Sequence, residues 1–466
     1  MSQDSGFEPR WPRRHFIKLV GLGSAAVLAK PLLAGLPRTD REVLIFYLAD
    51  THASYSAYGR ILSLLDQVIQ DNPRTPVLVV INGDVFEIGD LIGQRSGGAG
   101  DWAFLAHLRS RAPVLINVGN HEFDFQGPKE WGAQARALDL AVVSNIRNSQ
   151  DNQLIAPDFF EFEGFTFPGF ATTALNTYVP GVRGQLVIPD PLESLGQFQK
   201  QHDVSPPKMF VLSHAGLNDD RRLLEFTGSQ SLLAGAHNHQ TFHYQFADRY
   251  AYFQQGFRGE SVKLIHLGGV GNPSSTRFQE VIIDSSYPEE VAFAKEIAAL
   301  RKDYLRAEDQ ESVGGMSRQL NFAEAVQWAV ERIQQGTEAD LALVNHTSFG
   351  SGLPEGVVSR YAFSTFVRFD NRLVEANLPG VDIKKIIEHS QQEGDTPLGR
   401  RQGAVLFTAT PRTHFEDHTE YRFVTSDWVA LEANQKGYLG LPHTVSFSPV
   451  AEFTVRSVLG AALASH

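Results

Sequence analysis

Asp50, His52, Asp84, Asn120, His214, His237 and His239 are the residues of this chain whose types and spacing could bind metal. Together they offer hard oxygen and borderline nitrogen donors, which suit manganese, iron, cobalt or zinc rather than copper(I). Seven donors exceed what one tetrahedral ion uses, so the set points to two divalent ions. Paired ions of this kind lie about 3.5–4 Å apart and need a bridging anion. Asp84, alone on its segment, is the expected bridge. Asp50, His52 and His239 would complete one shell, and Asn120, His214 and His237 the other. His237 and His239, two apart on an extended backbone, would share a face unless a tight turn splits them. Any one of these residues alone is a weak signal, since an aspartate after a strand is commonly a helix cap.

Their weight comes from where they fall. Val43–Leu48 runs into Asp50-Thr51-His52, and Val77–Ile81 into Asn82-Gly83-Asp84. Val114–Val118 runs into Gly119-Asn120-His121-Glu122-Phe123-Asp124, Phe210–Leu212 into Ser213-His214, and Leu232–Leu233 into Gly235-Ala236-His237-Asn238-His239. Short β-branched runs that stop at Gly, Asn or Asp predict buried strands. In open α/β sheets ligands gather at the carboxyl ends of strands, so five such endings are expected to meet at one place.

The elements between them fit. Ile61, Leu64, Leu65 and Ile69 have helical spacing, as do Trp102, Leu105 and Leu108. Strand and helix alternate, which argues for a layered α/β domain. Phe159–Phe170 is expected to form an edge hairpin, and Lys263–Leu267 a strand. Tyr287–Asp303 is an amphipathic helix on its spacing, and the polar stretch from Glu311 to Arg318 is expected as a linker. Helices over Phe322–Ile333 and Ile383–Ser390 then accompany strands at Leu341–Val344, Arg372–Ala376 and Tyr421–Thr425.

Composition sets the outer bounds. The chain has 466 residues, enough for two or three domains. With 41 basic and 53 acidic residues its net charge is −12, which speaks against a nucleic acid polymer as partner. There is no cysteine, so disulfides, thiolate metal sites and a cysteine nucleophile are excluded. At the amino end, Pro12-Arg13-Arg14-His15-Phe16-Ile17-Lys18 precedes a small apolar run from Leu19 to Leu36. Gly21, Gly23, Lys30 and Pro31 break that run too often for a membrane span of about 20 apolar residues. The segment resembles a bacterial twin-arginine signal, although Pro12 departs from the usual Ser or Thr. The resemblance implies passage through the twin-arginine export machinery, already folded, to the periplasm or another exported location.

The five endings taken together resemble the calcineurin-like metallophosphoesterases, and within them the two-domain 5′-nucleotidase family. The matching residues are Asp50-Thr51-His52, Gly83-Asp84, Gly119-Asn120-His121-Glu122, His214-Ala215-Gly216 and His237-Asn238-His239. The resemblance implies an α/β metallophosphoesterase domain of two packed sheets flanked by helices, followed by a smaller α+β domain. The expected division is a signal over 1–40, the metallophosphoesterase domain over 41–286, a helical hinge or linker over 287–318, and the C-terminal domain over 319–466. It assigns the same seven ligands, and adds that His121, oriented by Asp124, stabilises the transferred group or protonates the leaving oxygen. Ala53 and Ala236 stand where the family usually has glycine, each restricting the backbone beside a ligand.

In the second domain, Asn345, Leu353-Pro354-x-Gly356, Phe369-x-Asn371 and Gly437-Tyr438 carry the resemblance. It implies that Phe369 and Tyr438 sandwich a nucleotide base and that Asn120 also touches substrate. The arginine that normally closes the loop after Asn345 is missing, its position being Gly350, and the family's proline before the first aromatic is Arg368. The expected activity is hydrolysis of phosphate monoesters, nucleotides among them, by in-line attack of metal-activated water without a covalent intermediate. One alternative is a hydrolase like the sulfur-oxidation thiosulfohydrolases, acting on a modified cysteine of a carrier protein. Another is a non-catalytic relic, against which the complete ligand set speaks.

Overall fold

A computed structural model describes residues 42–202, 204, 208–227, 231–246, 251–268, 276–390, 392, 396–403 and 405–465. The export signal expected in residues 1–40, Arg13 and Arg14 included, lies outside the described residues. No helix among the described residues is long and apolar enough to cross a membrane.

The five apolar runs are all strands, in two six-stranded sheets. In the first, Val43–Leu48, Val77–Asn82, Val114–Asn117 and Ala141–Val143 run parallel, and Ser261–Leu267 and Arg277–Ile282 extend the edge antiparallel. In the second, Phe165–Ala171, Phe210–His214, Leu232–Gly235 and Ala251–Gln254 form the parallel centre. Phe159–Phe162 closes one edge as the expected hairpin, turning through Glu163 and Gly164 at φ 48° and 85°. Continuous apolar runs make sense because both faces of each sheet are covered. Along Val43–Leu48, Val43, Ile45 and Tyr47 point between the sheets, while Leu44, Phe46 and Leu48 face the helices Tyr55–Asp71 and Ala99–Arg109. Helices Pro191–Gln201 and Leu217–Phe226 cover the outer face of the second sheet. The order of layers is therefore helix, sheet, sheet, helix.

A polar seam ties the two sheets together under the strand ends. The Asn82 amide donates to the Tyr47 hydroxyl at 3.0 Å, to the Ser213 carbonyl at 3.1 Å and to the Ala234 carbonyl at 3.0 Å. Asn117 in turn donates to the Asn82 side-chain oxygen at 2.8 Å. Every one of these groups is buried, where unpaired amides would be costly, so the seam fixes the register of one sheet on the other.

The second half is a five-stranded sheet in the order Leu406–Ala409, Leu341–Asn345, Glu420–Ser426, Arg372–Pro379, Ser448–Thr454. Helices Phe322–Thr337 and Val455–Ala464 pack on one face, Gly380–Ser390 and Glu432–Leu439 on the other. Two segments differ from expectation. The stretch expected as a linker contains a strand, Ser312–Met316, paired antiparallel with Gly356–Ser359, because its glycines allow close pairing that composition alone disguises. The helix Val291–Tyr304 buries Phe293 and Ile297 in the core of the first half, so its apolar face belongs to that domain's packing.

Candidate functional site

The strand endings meet. Asp50, His52, Asp84 and His239 form one group of donor atoms, and Asp84, His214 and His237 a second, each group lying within 4.8 Å internally. Asp84 belongs to both.

The backbone reaches this geometry through an unusual conformation. Asp50, His52, Asp84, His237 and His239 take φ values of 48°, 45°, 57°, 74° and 51°. Left-handed backbone is several-fold enriched for Asn, Asp and His, so the ligand types and the turn share a cause. Ala53, at φ 51°, has no such excuse. Its methyl carries a real conformational cost where glycine would carry none, whereas Ala236 is not among the positive-φ residues and its methyl is tolerated. Gly83 combines φ 81° with a close approach, since a Cβ there would fall 2.4 Å from His214 Nδ1.

Backbone hydrogen bonds stitch the endings into a frame. The Asp50 amide donates to the Gly83 carbonyl and the His52 amide to the Asp84 carbonyl, both at 3.0 Å. The His237 amide donates to both Asp50 oxygens at 3.1 Å, and the His121 amide to Asp84 Oδ1 at 2.8 Å. Glu122 accepts from the amides of Gly119, Asp84 and Val85 at 2.6, 3.0 and 2.9 Å. It is the clamp that holds the Asp84 loop against the Asn120 loop. Sequence reasoning quoted Glu122 within its motif but gave it no task, because the partners of a carboxylate that accepts backbone N–H groups leave no trace in residue type.

The imidazoles converge on the carboxylates, and His214 does so with one nitrogen anchored. His214 Nδ1 donates to the Asn82 carbonyl at 2.7 Å, which leaves Nε2 bare, 3.0 Å from Asp84 Oδ2 and without a hydrogen-bond partner. His52 Nε2 lies 2.7 Å from His239 Nε2, 3.7 Å from Asp84 Oδ2 and 3.9 Å from Asp50 Oδ1. His237 Nδ1 lies 2.8 Å from Asn120 Oδ1. Buried lone pairs directed at buried carboxylates repel unless a cation or a proton sits among them. Divalent cations fit these residues, and the oxygen–imidazole donor set suits the metals named above.

Electrostatics says the same. Burial pushes the Asp50 carboxyl up to about 8, with the Asp84 charge adding to the rise. Burial drives His237 down to about 3, helped by the charge of His214. The central pair shifts the other way: against burial, the charges of His214 and His121 hold the Asp84 carboxyl well below the usual carboxylate range, and Asp84 helps hold His214 up to about 10. Titratable groups pushed this far in both directions within one cluster mark a functional site.

Beside the cluster, His121 Nδ1 lies 2.8 Å from Asp124 Oδ2, and the same oxygen accepts from the Ile88 amide at 2.7 Å. Burial opposes the imidazolium, but the Asp124, Asp84 and Glu87 charges outweigh it and hold His121 up to about 10. The ring is oriented and its second nitrogen is left for chemistry.

A cavity of about 460 Å³ opens over these groups, lined by residues of both halves. His52, Asp84, Asn120, His121, His237 and His239 line it from the first half. Phe369 and Tyr438 line it from the second, together with Trp428, whose indole N–H donates to the Tyr438 hydroxyl at 3.2 Å. The structure thus brings the seven expected ligands, His121, Asp124, Phe369 and Tyr438 to one place, and adds Trp428, Glu87 and Arg258, which residue types alone did not announce. Trp428 was discoverable in principle as an aromatic following the strand Glu420–Ser426.

Behind His214, the buried Asp220 accepts from the hydroxyls of Ser213 and Tyr252. Burial raises its pKa to about 7, against the opposing hydrogen bonds. The folded chain therefore keeps this proton up to about pH 7, whereas an unfolded one releases it near pH 4. The folded form binds more protons in that window, so this group's contribution to stability falls as pH rises through it. Asp220→Asn should remove that slope: compared at equal metal content, the urea midpoint of the variant should gain on the wild type between pH 5 and pH 8. A constant gap at both pH values would place the titration elsewhere.

Comparison with known proteins follows this geometry closely. A family described as calcineurin-like phosphoesterase matches residues 43–241, and the 5′-nucleotidase C-terminal domain matches residues 297–407. No curated protein matches the sequence itself. Among solved structures, the fold is similar to a 5′-nucleotidase precursor from Thermus thermophilus, with a TM-score of 0.61 and 17% identity over 91% of this chain and 96% of that one. It is similar to the 5′-nucleotidase of Candida albicans, with a TM-score of 0.60 and 13% identity over 93% and 99%. The sulfate thiohydrolase SoxB of Thermus thermophilus gives a TM-score of 0.63 and 12% identity over 92% and 95%. At such identities these likenesses speak for the fold.

Proposed function

Because the chain belongs to the calcineurin-like phosphoesterases that carry a 5′-nucleotidase C-terminal domain, and so is a metal-dependent phosphoester hydrolase, we propose that it cleaves small phosphate monoesters, nucleotides among them, at a dinuclear centre. The observation that carries this reading is a pair of donor groups sharing Asp84 on the wall of a cavity that His121, Phe369 and Tyr438 also line. At about 460 Å³ the cavity has the size of a small-ligand site, roughly 300–1,000 Å³.

Asp50, His52, Asp84 and His239 would hold one ion, and Asp84, Asn120, His214 and His237 the other. Bound there, two divalent ions would activate water and offset negative charge on the transferred group. His121, tied through Nδ1 to Asp124, offers its other nitrogen to the leaving oxygen as proton donor or to the phosphoryl group as a fixed positive charge. Phe369 and Tyr438 are flat surfaces for a base, and Asn120 serves ligand and substrate alike.

One observation favours a second reading. Position 350 is glycine, so a nucleotide would lack the arginine expected there. A thiosulfohydrolase-like enzyme working on the modified cysteine of a carrier protein has less need of that contact. Metal-loaded protein should be assayed with an aryl phosphate, AMP and a thiosulfonated peptide, before and after chelation. The expected result is turnover of the aryl phosphate and AMP that disappears with the metal and returns on adding manganese, zinc or cobalt. Turnover of the peptide alone would replace the first reading by the second, and a protein that takes up no metal would end both.

A further inference from the structure

We propose that Arg258 is a substrate-binding residue, presenting its guanidinium to the oxyanion seated over the donor cluster. The inference rests on the phosphoester reading and deepens it, because it names which side chain takes the substrate's negative charge.

Arg258 arrives from the loop Gly256–Gly259, which leaves the second sheet beside the cluster. Its amide donates to the Asp50 carbonyl at 2.7 Å, and its neighbour Phe257 stacks on the His239 ring at 5.7 Å with 13° between the planes. The residue is only 6% exposed, yet it lines the cavity. Nη1 donates to Glu87 Oε2 at 2.8 Å, while Nε and Nη2 have no partner. A buried guanidinium with unmet N–H groups is a costly arrangement for a purely structural ion pair. It is the expected arrangement for a fork waiting for a planar or tetrahedral anion. Arg183, which also lines the cavity, contrasts with it: Nε and Nη2 donate to the carbonyls of Tyr178 and Asn176, so that side chain is committed to its own loop.

The second half leaves room for no other solution at the expected place. A Cβ on Gly350 would fall 2.1 Å from Arg368 Nε and 2.3 Å from the Thr365 carbonyl, so no larger residue fits at 350 without displacing Arg368. Arg368 itself is turned away from substrate: Nη1 stands 3.5 Å from Glu87 Oε2 and 3.4 Å from Asp90 Oδ2, and the side chain is absent from the cavity wall. Arg368 shares Glu87 with Arg258, and its own Nε and Nη1 also lack hydrogen-bond partners, but of the two only Arg258 lies on the cavity wall. Arg258 is therefore the one that meets the ligand.

The test uses metal-loaded full-length protein with inorganic phosphate as the probe. Phosphate affinity is measured by calorimetry, and KM and kcat with an aryl phosphate, for wild type, Arg258→Gln and Arg258→Lys, each checked for metal content. Arg258→Gln should weaken phosphate binding and raise KM by about 10- to 100-fold, the scale of one or two hydrogen bonds to a charged group, with metal content unchanged and kcat much less affected. Arg258→Lys keeps the charge against Glu87 but not the fork, and should show a smaller loss in the same direction. Wild-type phosphate affinity in the lysine variant overturns the proposal, whether or not the glutamine variant folds, and so does a wild type that binds no phosphate. Arg258-dependent phosphate binding without hydrolysis of any phosphate ester would uphold the proposal and remove the phosphoester reading instead.

Discussion

Asp84→Ala should leave the protein without bound metal at either position and without measurable hydrolysis. Asp84 is the residue common to the two donor groups, and no neighbouring carboxylate can substitute. Asp50 is pinned by the His237 amide and Glu122 by three backbone amides. Losing the bridge removes one ligand from each ion and lets the ions' mutual repulsion act unopposed. Metal ions contribute several kcal/mol of charge stabilisation in such reactions, so turnover should fall by more than ~10⁴-fold. Metal analysis of the purified variant is the decisive measurement. Two ions per chain in Asp84→Ala would contradict a bridging role, whatever the activity does. Asp84→Asn, which keeps an acceptor for the His121 amide, separates loss of the bridging charge from loss of local structure.

His121→Ala should do the opposite: metal content stays at the wild-type level while turnover drops by roughly 10²–10⁴-fold, the usual size of an acid–base contribution. The distinction is anchored in the geometry. His121 faces Asp124 at 2.8 Å and appears in neither donor group, whereas its backbone amide still holds Asp84 Oδ1 and would do so in the variant. A parallel loss of metal would make His121 a ligand. Asp124→Asn should show a milder form of the same defect, since an amide can hold the ring but cannot favour its charged form.

Much of this site was legible because its signals are local. A β-branched run followed by Gly, Asn, Asp or His announces both a buried strand and a turn, and Asp50, Asp84, Asn120 and His214 all sit where that grammar puts them. The departure at Ala53 was legible only through the family resemblance, and the same resemblance flagged Ala236, where the backbone is not left-handed. What escaped was long-range. Arg258 and Glu87 are 171 positions apart, and nothing in either neighbourhood announces the other. Glu122 works through backbone amides, which every residue possesses, so its role has no compositional signature. The strand Ser312–Met316 was hidden by glycines that read as linker, and the helix Val291–Tyr304 showed an apolar face without showing which core it would join.

The carboxylates Glu87 and Asp90 come from one half of the chain and Arg368 from the other, all nearly inaccessible to water. Grafting on a second half that lacks Arg368 would leave Asp90 buried without its guanidinium and Glu87 with Arg258 alone, a change that costs about 3–5 kcal/mol when one partner of such a buried pair is lost. The two modules therefore cannot be traded as independent cassettes. A chimera built from this protein keeps the crevice paired when it carries Arg368 along with Glu87 and Asp90.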